Sequence, residues 1–165
     1  MADPNQLRGK GILYLDDLRV GQRFTSGTHR IGEDEIKAFA KQFDPQPFHL
    51  DAEAAKDTMF EGLVASGWHT AAVSMRLLVE GVPIAGGMVG VGAEMAWPKP
   101  TRAGDVLHVE SEVVEARPSR SRPDRGIATI RSETRNQSGE IVQVLIAKLV
   151  VPRQSSSAAS TEDDV

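Results

Sequence analysis

The chain has 165 residues, 40% of them hydrophobic, and a formal net charge of −4. This length suits one domain with one core, the apolar share is enough to build it, and the acidic balance argues against a general nucleic-acid partner. No cysteine is present, which excludes a disulfide scaffold, a thiolate nucleophile and any zinc site built on sulfur.

Residues 1–11 are polar and glycine-containing and are expected to be flexible. The segment 154–165, rich in Ser, Ala and Asp, has almost nothing to bury and reads as a disordered tail, leaving 12–153 as the folded domain. No apolar run approaches a membrane span, and Met1-Ala2-Asp3-Pro4-Asn5 lacks a signal pattern, so a cytoplasmic protein is expected. A first strand is expected near 23–30. Ile36, Phe39, Ala40 and Phe43 then fall on one face of a helix whose first turn carries Glu33, Asp34 and Glu35, and Pro45 and Pro47 are expected to stop it. A short helix is expected over 51–57. From Gly67 to about Val79 runs a third helix, with Ser66 as its cap and Gly81 ending it in a left-handed conformation. Its apolar residues, from Trp68 to Val79, go around most of the circumference, so it is expected to be buried on nearly all sides. Apolar residues at the odd positions of 89–97 predict a strand, ended by Pro98 and Pro100. The segments 106–115, 127–135 and 141–151 predict three more, the last two joined by a turn at 136–139. Helices followed by antiparallel strands indicate an α+β fold.

Two segments carry chemistry. In Phe43-Asp44-Pro45-Gln46-Pro47-Phe48-His49 an acid and an imidazole lie close along a proline-stiffened stretch, where desolvation is expected to raise the carboxylate pKa. Taken alone, a turn-forming aspartate and a packing histidine give the same spacing. Ser66-Gly67 opens a helix whose free N–H groups suit an anion or a developing oxyanion, with Gly67 letting a ligand approach the backbone; alone, the same pair merely caps a core helix. Together they meet the needs of a thioester: an acid and a base for its α and β carbons, and donors for its carbonyl oxygen.

These residues resemble the MaoC-like, R-specific enoyl-CoA hydratase family. Asp44, Pro47, His49, Asp51 and Ala54 or Ala55 fit the first part of its pattern. Ser66-Gly67 stands at the opening of the central helix, and Trp97–Asp105 resembles the family's strand–Pro–Gly-Asp stretch. The resemblance covers about 15–152. It implies a hot-dog fold, an antiparallel β-sheet wrapped around a long buried central helix. It also implies a hydro-lyase acting on a 2-enoyl or 3-hydroxyacyl coenzyme A thioester. In that reading Asp44 activates a water, His49 orients it and delivers a proton, and Gly67 with Ser66 binds the thioester oxygen. Trp68, Val64, Gln46, Ser74 and Arg122 are expected to contact substrate. Coenzyme A is part of the substrate, so no separate cofactor, metal, nucleic acid or membrane is expected, and the chain is expected to form at least a homodimer. Three positions depart from the family: Gln46 replaces Asn, Ser66 replaces His, and Met75 stands where some members have an assisting serine, with Ser74 beside it.

Two other activities remain in play. A hot-dog thioesterase often carries a carboxylate on the central helix, but 67–79 contains none. A non-catalytic hot-dog protein that binds an acyl thioester is the other. Arg117, Arg120, Arg122 and Arg125 sit among Pro, Ser and Gly and read as a solvated hairpin loop, of which one or two arginines meet coenzyme phosphates.

Overall fold

The computed structural model describes residues 11–155. The two terminal segments expected to be loose lie outside it, except for Gly11, Gln154 and Ser155. After a 3-10 turn at Leu15–Asp17 come two short strands, β1 (Arg23–Thr25) and β2 (His29–Arg30). The helix α1 (Glu33–Phe43) follows, as its apolar spacing predicts.

The next stretch differs from expectation. In place of one helix over 51–57 there are two single turns, α2 (Pro47–Leu50) and α3 (Ala52–Ala55). Pro47 therefore starts a helix as well as keeping α1 from continuing: at the first helical position its missing N–H costs nothing. Asp51 separates the two turns by capping the second, its Oδ1 accepting the N–H groups of Glu53 at 2.8 Å and Ala54 at 3.2 Å.

The long helix α4 (Gly67–Gly81) is capped by Ser66, whose Oγ accepts the Trp68 N–H. Gly81 does not end it in a left-handed turn; it is the last helical residue, and a Cβ there would lie 3.3 Å from Ser26. Glycine at this position serves the close approach of the β1–β2 connection. Nor is α4 buried all round. His69, Thr70, Val73, Ser74, Leu77 and Leu78 face inward, while Trp68, Ala72, Met75 and Val79 form an outward stripe. These positions recur every three or four residues, so the helix is apolar on a second face that a single chain leaves uncovered.

The sheet is antiparallel, in the order β1-β4-β5-β6-β3, with β3 at Val89–Ala96, β4 at Val106–Pro118, β5 at Arg125–Arg135 and β6 at Ile141–Pro152; β2 pairs separately with β4. In β4 and β5 alternate residues turn inward, among them Leu107, Val109 and Val113 on one strand and Ala128 and Ile130 on the other. With Ile31, Ile36, Val73, Leu77 and Val142, Leu107 and Val109 form the cluster that seats α4. Serines and threonines within this interior pair with one another, as Ser111 does with Ser132 at 3.0 Å, so their hydroxyls are not left unsatisfied. The β5–β6 turn is as expected: Asn136 Oδ1 accepts from Ser138 and Glu140, and Gly139 has φ 76°. The edge strand β3 departs from its alternating pattern. All of it is exposed except Met95, on both faces, and its register shifts between Gly90 and Gly92. No helix among the described residues is long and apolar enough to cross a membrane.

Candidate active site

The end of α1 and the turn α2 bring the acid and the imidazole together. Asp44 caps α1, its own N–H still donating to Ala40 at 2.9 Å. His49 lies within α2 and is buried. Its Nδ1 meets the Val64 carbonyl at 2.7 Å. A carbonyl oxygen only accepts, so Nδ1 carries a proton. That turns Nε2 toward Asp44 Oδ2, 3.3 Å away.

Both carboxylate oxygens have further donors. Ser66 Oγ donates to Oδ2 at 2.7 Å, and Gln46 Nε2 donates to Oδ1 at 2.7 Å. The Asp44 pKa shift therefore runs opposite to the direction expected from burial. Desolvation is the largest single influence and pushes it up, but Ser66, Gln46 and the His49 charge together hold it below the ordinary carboxylate value. Asp44 is thus ionised at neutral pH. Its linkage to folding has a definite sign: the stabilisation is present above the ordinary carboxylate range and is lost as pH falls through the depressed pKa. Ser66→Ala should remove one donor and raise that pKa, moving the acid limb of the activity profile to higher pH; the profile of kcat/KM measures it. The same substitution removes the α4 cap and should lower stability by about 1 kcal/mol.

Asp44, His49 and Gly67 open onto a cavity of about 690 Å³, whose apolar wall includes Phe48, Phe60, Val64, Trp68 and Trp97. The indoles of Trp68 and Trp97 meet edge to face at 5.5 Å, and Trp97 Nε1 donates to the buried Gln143 at 3.0 Å. Gly67 opens α4, where the first N–H groups have no acceptor within the helix. A Cβ at Gly67 would come 2.8 Å from the Trp97 ring, so the absence of a side chain here lets the indole pack against the start of α4.

A family model described as the MaoC like domain matches residues 18–136. The chain belongs to the MaoC-like domain family. This MaoC-like chain is 36% identical over 128 residues to the uncharacterized protein YdeM of Bacillus subtilis, covering 76% of the chain and 89% of the relative. It is 31% identical to the (R)-specific enoyl-CoA hydratase of Aeromonas caviae over 130 residues, 78% of the chain and 92% of that enzyme. The crystal structure of a MaoC-like dehydratase from Rhodospirillum rubrum superposes with a TM-score of 0.85 at 59% identity, covering 87% of this chain and 99% of that one. The α+β architecture is accordingly the hot-dog fold.

Within this MaoC-like domain the expected site residues divide. Asp44, His49, Gln46, Val64, Gly67 and Trp68 line one cavity. Ser66 does not reach the wall; it is buried behind Asp44, holding the carboxylate. Ser74 lies between helix and sheet, where its hydroxyl donates to the Thr70 carbonyl and shares a hydrogen bond with Thr134 at 2.6 Å. Arg122 sits exposed in the β4–β5 connection, away from the cavity lining. Phe48, Phe60, Lys99, Thr101 and Arg102, none of them expected as a site residue, also line it. The prolines at 98 and 100 were the available signal, since they turn the chain after β3 back across the opening of α4. His69 packs behind the site, its ring stacked on Phe39 at 4.6 Å and its Nε2 3.4 Å from Glu35; burial, more than this carboxylate can offset, holds its pKa below the usual value.

Proposed function

We propose that this protein adds water to, or removes it from, a 2-enoyl/3-hydroxyacyl thioester of coenzyme A. The observation that carries the reading is the Asp44–His49 pair, 3.3 Å apart and facing a cavity that Gly67, the first residue of α4, also lines. Hydration needs a base for water and an acid for the α carbon. The ionised Asp44 takes a proton from water as its oxygen attacks the β carbon. His49 delivers a proton from Nε2 to the α carbon. The thioester oxygen carries the developing negative charge and is held by the Gly67 N–H. After the step Asp44 holds a proton and His49 Nε2 holds none. Transfer across their contact restores the starting pair, and dehydration runs the same steps backwards. The thioester itself supplies the activation, so the proposed chemistry needs no further cofactor. Relatives named (R)-specific enoyl-CoA hydratase and 3-hydroxybutyryl-CoA dehydratase support the substrate class.

A panel of 2-enoyl-CoA thioesters tests it, with loss of the conjugated double bond and release of free thiol followed together. Double-bond loss without thiol is the expected result; thiol release would make the protein a thioesterase instead, and neither would leave a binding protein.

The same reading includes a homodimer. The outward stripe of α4 and the exposed residues Val89 and Val91 of β3 are apolar, and β3 has a neighbour, β6, on one side only. An unpaired apolar edge in water invites a second strand, and a second copy offers the same edge. Trp68 and Trp97 stand on this side, 62% and 40% exposed, so a second copy would also roof the cavity. Sedimentation should return twice the chain mass, and Met75→Glu should return the single-chain mass; a monomeric wild type would contradict this.

A further inference from the structure

We infer that Arg102 is a phosphate-binding residue at the mouth of the cavity, gripping the 4′-phosphopantetheine arm that carries the acyl group. The inference rests on the thioester reading above and specifies how its carrier is held.

The segment bearing Arg102 is fixed on both sides. The Thr101 carbonyl accepts the Ala65 N–H at 2.8 Å, Arg102 pairs with Val64 in an antiparallel bridge, and the Arg102 N–H donates to Asp105 Oδ2 at 2.8 Å. The guanidinium is held too, since Nη2 donates to the Phe60 carbonyl at 2.7 Å. Nη1 passes over Gly62, where even a Cβ would stand 3.5 Å from it. The side chain is exposed, and among the described residues no carboxylate pairs with it. Lys99, by contrast, is already neutralised by Glu140.

Position decides what this cation does. Arg102 lines the catalytic cavity and also a smaller, more polar cavity of about 290 Å³ bounded by Asp105 and the Asn136–Ser138 turn. The two cavities meet across Lys99, Pro100 and Arg102. An acyl thioester has this division of character: an apolar tail, a reacting carbonyl, and a polar arm ending in phosphate. The carboxylates near the second cavity are engaged, Asp105 by the Arg102 N–H and Gln137, Glu140 by Lys99 and Asn136. That leaves a pre-oriented guanidinium with free N–H groups, the geometry that binds a phosphate through two parallel hydrogen bonds.

One acyl group on four handles tests the inference: coenzyme A, 4′-phosphopantetheine, acyl carrier protein, and pantetheine, which has no phosphate. Arg102→Gln should raise KM for the phosphorylated handles by about tenfold to a hundredfold, the scale of one charge-assisted contact, and leave the pantetheine thioester unchanged. Arg102→Lys should recover part of the loss. A loss seen with coenzyme A but not with 4′-phosphopantetheine assigns the contact to a nucleotide phosphate and overturns the assignment to the arm; a loss with all three supports the phosphate next to pantetheine. Equal KM changes for pantetheine and the phosphorylated handles, or none for any, would also overturn it. Should no thioester be turned over by the wild type, the proposed reaction fails separately. Quenching of Trp68 and Trp97 by coenzyme A then reads the same contact, with weaker binding by Arg102→Gln expected and unchanged binding contradicting it.

Discussion

Asp44→Asn should lower the rate of hydration by about 10²- to 10⁴-fold, the range that a positioned acid–base group contributes. The substitution nearly preserves shape. The amide oxygen still accepts from Ser66 or Gln46, whose donors now lie 2.7 Å from the Asp44 carboxylate, and the amide N–H can donate to His49 Nε2. A neutral pair thus replaces a charged one, and the stability cost should be about 1 kcal/mol, one exchanged hydrogen bond. What disappears is the ability to take a proton from water. Turnover measured beside thermal unfolding separates the two effects, and a stable variant with the wild-type rate would remove Asp44 from the chemistry.

His49→Ala should be equally damaging, and the double variant with Asp44→Asn should lose little more than either alone. Residues that serve one step act as a unit, and losses within a unit do not add. Alanine also leaves the Val64 carbonyl, now bonded to Nδ1 at 2.7 Å, without a partner. That buried acceptor should cost about 1–3 kcal/mol. His49→Gln supplies the control, because its amide can donate to the same carbonyl while lacking an acid of suitable strength. The His49→Gln and His49→Ala variants should therefore be alike in rate and differ in stability. Losses that multiply in the double variant would mean that the two side chains act in separate steps.

Much of this arrangement was legible in the chain because local chemistry wrote it there. Ile36, Phe39, Ala40 and Phe43 define α1, Ser66 caps α4, and Asn136 with Gly139 turns β5 into β6. What escaped the sequence depends on groups far apart along it. Burial alone predicted a raised Asp44 pKa, but the donor that helps reverse it, Ser66, lies 22 residues away. Ser74 has the chemistry of a substrate contact, yet the register of α4 turns it to Thr134 on β5. Arg122 looked like a phosphate ligand by composition, whereas Arg102 reaches the cavity because the segment 98–102 crosses in front of Val64 and Ala65. The alternation in β3 reads as one buried face, and no local signal says that both faces stay exposed in the single chain.

The most direct test of the central claim follows the oxygen of water. A 2-enoyl-CoA incubated with the protein in ¹⁸O-labelled water should acquire the label at C3 of the product, with the thioester intact, and Asp44→Asn should nearly abolish that incorporation. Label found instead in the carboxylate of a released free acid, or equal labelling at C3 by the variant, would contradict a hydration reaction at Asp44 and His49.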